Sequence, residues 1–222
     1  MLNSVRWPIH PEMISGERLS SWLRRTAILY GLRVDDLIED LGLAQLMKSD
    51  IDLRVPGKQI KAIAERTGMS LYSIRATTFA GILPSSLLRG RSAGAESQPL
   101  SIFWEPWEHR RRKRQRRIRW IRREGAERLS ACRSCLADYP DTAVKLFWGL
   151  SVVFSCPIHR LVLEPANIMS NKVIWLKANP EQAPALLATL DSRNYSAVME
   201  GFVEMPGRII GAEHWFRVLQ AI

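Results

Sequence analysis

"RLSACRSCLADYPDTAVKLFWGLSVVFSCPIHRL", residues 128–161, holds all three cysteines of a 222-residue chain and one of its four histidines. Two residues separate Cys132 from Cys135, two separate Cys156 from His159, and twenty lie between the pairs. Each two-residue gap lets a tight turn aim both side chains at one point. Two such knuckles brought together supply the four tetrahedral ligands of a closed zinc site. The spacing therefore predicts one structural Zn2+ held by Cys132, Cys135, Cys156 and His159, with no open position for a reactive water. Disulfides are a poor alternative, because three cysteines cannot all pair and a bridge across two residues closes a strained ring. Within the spacer, "VKLFWGLSVVF" has the length for a strand pair or a helix that lays Leu146, Trp148, Leu150 and Val152 against the metal. Pro157 suits the turn of the second knuckle.

The beginning of the chain, "MLNSVRWPIHPEM", has no apolar leader and no small-residue cleavage site. No run of 18 apolar residues is present to span a membrane. Both features suit a reducing cytoplasm, where clustered cysteines are more often metal ligands than bridges. The apolar fraction, 46%, is that of an ordinary globular protein. The charge is not ordinary: 32 Lys and Arg face 22 Asp and Glu, a net +10. "RRRKRQRRIRWIRR" accounts for the excess, with Arg110, Arg111, Arg112, Lys113, Arg114, Arg116, Arg117, Arg119, Arg122 and Arg123 and no acid. Without these ten the chain is neutral. A block this dense is a solvated interaction segment whose charges match phosphate backbones, each contact releasing counterions. The apolar edge of Ile118 and Ile121 is too narrow for lipid insertion, which favours nucleic acid over a membrane.

The first third predicts helices. "SGERLSSWLRRTAILYG" places Leu19, Trp22, Leu23, Ala27 and Tyr30 on one face, with Ser15 as N-cap and Gly31 as stop. "VDDLIEDLG" is a short second helix ending at Gly42. "PGKQIKAIAERTG" starts at Pro56, buries Ile60, Ile63 and Ala64, and stops at Gly68. "SLYSIRATTFAG" follows, capped by Ser70, with Leu71 and Ile74 inward. These last two helices, joined by Gly68-Met69-Ser70, read equally as a helix-turn-helix or as a plain helical hairpin. In the first reading Tyr72, Ser73, Arg75, Ala76 and Phe79 form the outer face, where one arginine is thin for reading DNA.

The pattern predicts a mainly α fold: an N-terminal helix-turn-helix domain, a small zinc-binding module with short strands, and C-terminal helices. The boundaries are 1–88 for the helical domain, 89–130 for a linker ("RGRSAGAESQP") with the arginine-rich segment, 131–170 for the zinc module and 171–222 for the C-terminal segment. A helix entered at Pro180 and a final amphipathic helix within "GRIIGAEHWFRVLQAI", around Trp215, Phe216 and Leu219, complete it. Zinc deaminases combine a His-x-Glu with a Pro-Cys-x2-Cys, and His10-Pro11-Glu12 is present here. Ala131 stands where that proline would, however, and the scheme leaves Cys156 and His159 without a role. His10, His109 and His214 have no comparable partner. The chain reads as non-catalytic.

Together these motifs resemble the TniQ family of bacterial transposon target-selection proteins. The resemblance rests on "SGERLSSWLRR" (Gly16, Glu17, Leu19, Ser21, Trp22 and Leu23) and on "CRSCL" followed by a tryptophan and "CPIHRLVL". It is good over about 14–30 and 130–163. It implies a helix-turn-helix domain opened by the first stretch, and a zinc element in which Cys132, Cys135, Cys156 and His159 are ligands beside Trp148 and Leu163. "LEPANIMSNKVIW" lacks the second Cys-x2-Cys that many members carry, which puts a second zinc in doubt, and the chain is shorter than many members. The resemblance further implies an adaptor in DNA transposition. Such a protein links a target, either a DNA site or a CRISPR effector with its guide RNA, to an AAA+ ATPase that recruits the transposase, so that the transposase is an indirect partner. The setting is the bacterial cytoplasm and nucleoid, and a homo-oligomer stays open. The competing reading is a stand-alone helix-turn-helix and zinc transcriptional regulator.

Overall fold

Leu19, Trp22, Leu23 and Ala27 recur at helical spacing and form the buried stripe of α1 (Leu19–Leu29). The computed structural model describes residues 6–42, 51–53, 55–83, 126–138, 143–150, 152–169, 172–176 and 179–220. The arginine-rich stretch and the linker before it lie outside the described residues. α1 begins later than a cap at Ser15 predicts, with Arg18 in the cap position. Gly16 takes a left-handed φ of +70° and Glu17 pairs across an isolated bridge with Lys145, so these residues are committed to another segment. At the other end the helix stops at Gly31, as expected.

α2 (Val34–Asp40) packs on α1, and α3 (Gly57–Thr67) buries Ile60 and Ile63. Gly68, with φ +74°, ends α3 and gives its N–H to Ala64 O at 2.7 Å. Ser70 then caps α4 (Leu71–Arg75), its hydroxyl accepting from Ser73 N at 3.0 Å. α3 and α4 pack together across the three-residue turn.

The outer face of this pair differs from expectation in two places. Leu71, expected inward, is 45% exposed, and the inward position belongs to Ile74 alone. Phe79, expected beside Tyr72 and Arg75, is 1% exposed. Helical phase does not carry through to Phe79. The hydroxyls of Thr77 and Thr78 donate back to Ile74 O and Arg75 O, which ends α4 after five residues. Thr77 O accepts from Leu19 N, and Phe79 N donates to Asp52 O at 2.8 Å, opening α5 (Phe79–Ile82) in a new direction.

The second half is built on a three-stranded antiparallel sheet in the order β1 (Ala126–Ala131), β2 (Glu164–Met169), β3 (Lys172–Trp175). Ala131 lies opposite Glu164, and Ala166 opposite Trp175. α6 (Arg133–Ala137) follows β1 directly. Among its described residues the spacer stretch 144–154 forms a 3-10 turn, Leu146–Gly149, and neither a strand pair nor an α-helix, and it still buries Leu146, Trp148 and Leu150. The helix expected from Pro180 is α7 (Ala185–Met199). Its approach is held extended because Val162 N donates to Glu181 O and Ala183 N to Arg160 O, both at 2.8 Å. Arg208–Gly211 is a strand and not the start of the last helix. β4 (Phe202–Met205) and β5 (Arg208–Gly211) close a hairpin around Pro206-Gly207, with Gly207 at φ +79°, and α8 (Ala212–Gln220) follows.

The described residues are thus mostly helical, with eight helices and two small antiparallel sheets. One buried cluster joins α1, α2 and α3 around Trp22, Ile38 and Ile63. The other gathers Cys132, Cys135, Cys156, Trp148, Trp215 and Phe216, and it includes Phe79 and Leu83 from the helical half. Among the described residues no helix is long and apolar enough to cross a membrane.

Candidate metal centre

Each knuckle is a turn with a built-in reason to be tight. Cys132 follows β1 directly and occupies the cap position of α6, its carbonyl accepting from Leu136 N at 3.1 Å, so Cys135 lies one helical turn ahead. Around the second knuckle the chain forms a narrow hairpin: Ser155 bridges Val162, Leu163 N donates to Phe154 O at 2.7 Å, and Cys156 N to Leu161 O at 2.8 Å. Arg160 N donates to Cys156 O at 2.8 Å, and Arg160 takes a φ of +53° to close the turn.

The four expected ligands meet. Their donor atoms all lie within 4.8 Å of one another, the three cysteines buried and His159 partly exposed. Cys135 Sγ is 3.6 Å from Cys156 Sγ, and His159 Nδ1 is 3.6, 3.2 and 3.7 Å from the sulfurs of Cys132, Cys135 and Cys156. Zinc bonds of about 2.3 Å to sulfur and 2.0 Å to nitrogen give tetrahedral ligand separations of roughly 3.5–3.8 Å. The donor set fits a metal such as zinc, and it is closed. Asp138 Oδ2 lies 3.5 Å from His159 Nε2, which pairs the outer ring nitrogen with a carboxylate and leaves Nδ1 facing the three sulfurs, where it would serve as the ligand.

The protonation pattern points the same way. Hydrogen bonds from Cys132 and Cys135 hold the Cys156 thiol down at about 2, against the opposing push of burial. Cys135 is driven far up by its bonds to Cys132 and Cys156 and by burial. Cys132 is pulled down by its bond to Cys135, yet the bond to Cys156, burial and the Cys156 charge carry it up to about 11. Three thiolates this close would repel one another, so holding all three deprotonated would call for a cation among them.

Around the ligands stand buried polar contacts that spacing did not reveal. Arg133, between the first two cysteines, donates to Glu164 Oε2 at 2.9 Å and lies 4.8 Å above the Trp175 ring, tying α6 to the sheet. Asp191 of α7 accepts from Ser155 N and Ser155 Oγ at 2.6 Å each, and from Phe154 N at 3.2 Å. Asn194 donates to Val152 O at 2.8 Å and accepts from Trp215 Nε1 at 2.8 Å. The C-terminal helices thereby brace the segment that leads into Cys156. Burial raises the Asp191 carboxyl above its usual range, with the bonds from Ser155, Phe154 and Asn194 opposing it.

A second set joins the spacer to α1. Glu17, Ser21 and Arg25 are buried at every fourth position: Ser21 Oγ donates to Glu17 Oε1 at 2.9 Å and Arg25 Nη1 to Glu17 Oε2 at 2.8 Å. Val144 N donates to Ser21 Oγ at 2.9 Å, and Lys145 Nζ to Ser15 O at 2.6 Å. Burial lowers the Lys145 ammonium, while the charges of Cys135, Glu17 and Cys156 pull it back up. A polar stripe at four-residue spacing on a helix otherwise read as apolar was the available sequence signal. No comparable signal marks Asp138, Asp191 or Asn194, because their partners are distant in the chain.

The remaining candidates are separate from the cluster. Tyr72 (81% exposed) and Arg75 lie on the surface of α4 and Phe79 in the core. His10 packs edge-on to Trp22 and sits 3.0 Å from Thr67 O. His109 and the ten basic residues from Arg110 to Arg123 lie outside the described residues.

A family model described as TniQ matches residues 8–163. This span holds the helical half, the polar stripe of α1 and both knuckles. No curated protein and no solved structure matches the chain.

Proposed function

The chain belongs to the TniQ family, a family associated with transposition, and from that premise we propose that it is a non-catalytic adaptor in DNA transposition. It links a recognised target to an AAA+ ATPase, which in turn recruits the transposase. The target is presented either as a DNA site or by an RNA-guided CRISPR effector with its guide RNA. One structural Zn2+ on Cys132, Cys135, Cys156 and His159 holds the second half together. The work is done in the bacterial cytoplasm, at the nucleoid.

The observation that carries this reading is the extent of the family match, which takes in the helical half and the metal centre as one span. The exposed face of α4 supports docking over base reading. α4 has five residues, about 7.5 Å of helix, and its last turn offers Arg75 as its basic residue. A helix this short gives little purchase along a major groove. Tyr72 and Arg75 therefore serve a protein or RNA partner. The ten basic residues between Arg110 and Arg123 supply the charge-dependent grip on nucleic acid.

Two surfaces with two partners are separable by mutation. In a transposition assay run beside pull-downs with the ATPase and the targeting complex, Tyr72→Ala with Arg75→Ala should break one protein association and leave salt-dependent DNA binding intact. Gln at four of the arginines should do the reverse. The regulator reading takes over if the isolated protein binds a single duplex sequence tightly and Arg75→Ala removes that specificity.

A further inference from the structure

Arg160 is the one non-glycine residue with a positive φ among the described residues. The knuckle demands that conformation, since its N–H and carbonyl are tied to Cys156 and Ala183. Glycine would meet the demand without steric cost, yet an arginine stands there. Its exposed side chain is one wall of a cavity of about 560 Å³ lined also by Pro157, Gln182, Thr189, Ser192 and Arg193. No carboxylate is among the described lining residues. α7 divides its polar groups by face: Asp191 turns to the Phe154–Ser155 backbone and Asn194 to Val152 O, while Thr189, Ser192 and Arg193 line the cavity. Arg160 and Arg193 thus meet no acid among the described residues that line this cleft. The first turn of α7, with Pro184 in the cap position, has no side-chain cap and no acid, so its field adds to theirs.

We propose that this cleft, walled by Arg160 and Arg193 beside the second metal knuckle, binds a backbone phosphate of nucleic acid. Guanidinium forks match phosphate oxygens two at a time, and the knuckle fixes the backbone from which Arg160 projects before any ligand arrives. The choice of a nucleic-acid phosphate over an acidic peptide rests on the transposition reading above. The cleft itself does not rest on that reading.

The test uses the full zinc-loaded chain and a fluorescent 20-base-pair duplex of arbitrary sequence, followed by anisotropy across a potassium chloride series. Losing one phosphate contact should flatten the slope of log affinity against log salt by about 0.9. The double variant Arg160→Gln with Arg193→Gln should show that change and weaken binding to every sequence alike. Contacts made by the segment from Arg110 to Arg123 are common to both proteins and cancel. If Arg160→Gln lowers zinc content, Arg193→Gln with Ser192→Glu reads the same slope from α7 alone. A folded variant of normal zinc content with unchanged slope and affinity overturns the proposal. So does loss of binding to a polyglutamate probe with duplex binding intact, which would make the cleft a protein site. Pull-down of the ATPase by these variants should be normal, so failure of the adaptor reading and failure of the cleft give different results.

Discussion

Ser21 carries two structural duties on one hydroxyl, donating to Glu17 and accepting from Val144 N in a fully buried position. Ser21→Ala leaves a buried N–H and a buried carboxylate oxygen short of a partner, a loss of about 1–3 kcal/mol. Urea unfolding of the metal-loaded protein should show that loss, and a midpoint within error of the parent would show that the stripe is dispensable. Asp191 makes a pH-dependent case. Burial lifts its carboxyl above the unfolded value of about 3.9. A carboxyl that holds its proton more tightly when folded stabilises the fold below the unfolded pKa, and that contribution disappears as pH rises through the folded pKa. Asp191→Asn removes the titration, so its destabilisation should shrink as pH rises. The comparison of variant with parent is made over the pH range in which the metal stays bound, since loss of metal in acid would unfold both. A destabilisation that grows with pH would reverse the sign and show a carboxyl favoured in its charged form.

At the scale of elements, the reading from sequence succeeded where one residue decides the outcome locally. Gly31 and Gly68 stop their helices, Ser70 caps α4, and the two Cys/His spacings bring four ligands together. It failed where a distant segment decides. α1 starts late because residues 144–146 claim Gly16 and Arg18, Leu146 N donating to Gly16 O at 2.7 Å and Arg18 N to Val144 O at 3.0 Å. Phe79 turns inward because two threonines end α4, and Arg208–Gly211 is strand because the turn at Pro206-Gly207 folds it back onto β4. α5 shows what that inward turn achieves, since Phe79 belongs to the core that surrounds the cysteines. Phe79→Ala should cost about 3–5 kcal/mol, measurable as a fall in melting temperature with Tyr72→Ala as the neutral surface control. Gly81 fixes the approach of α5 to α4: a Cβ there would stand 1.9 Å from Arg75 O, and backbone cannot swing aside as a side chain can. Gly81→Ala should cost about 1–3 kcal/mol or more and shift the exposed Arg75. Wild-type stability in that variant would mean that the two helices approach less closely.

Across the whole molecule, the metal centre and the helical half are not energetically separate. Leu19 N to Thr77 O joins α1 to the stretch that delivers Phe79, and two backbone hydrogen bonds cross between the halves beside it: Leu146 N to Gly16 O and Arg18 N to Val144 O. The Ser21 and Lys145 side chains add two more, and all of these donors and acceptors would be stranded if residues 143–150 came loose. A structural zinc contributes on the order of 10 kcal/mol or more of apparent folding free energy. The entire net stability of a domain is about 5–15 kcal/mol. Removing such an ion would therefore take away an amount comparable to everything that holds the chain folded, and the seam would pass the loss on to α1. Chelation should abolish amide-exchange protection over Leu19–Leu29 together with that over residues 132–163, in one transition, and restoring zinc should return both. Cys135→Ser should behave as the chelated protein does, losing solubility and melting temperature. Retained protection of α1 in the chelated protein would show that the helical half folds alone and that the polar seam only docks two finished units.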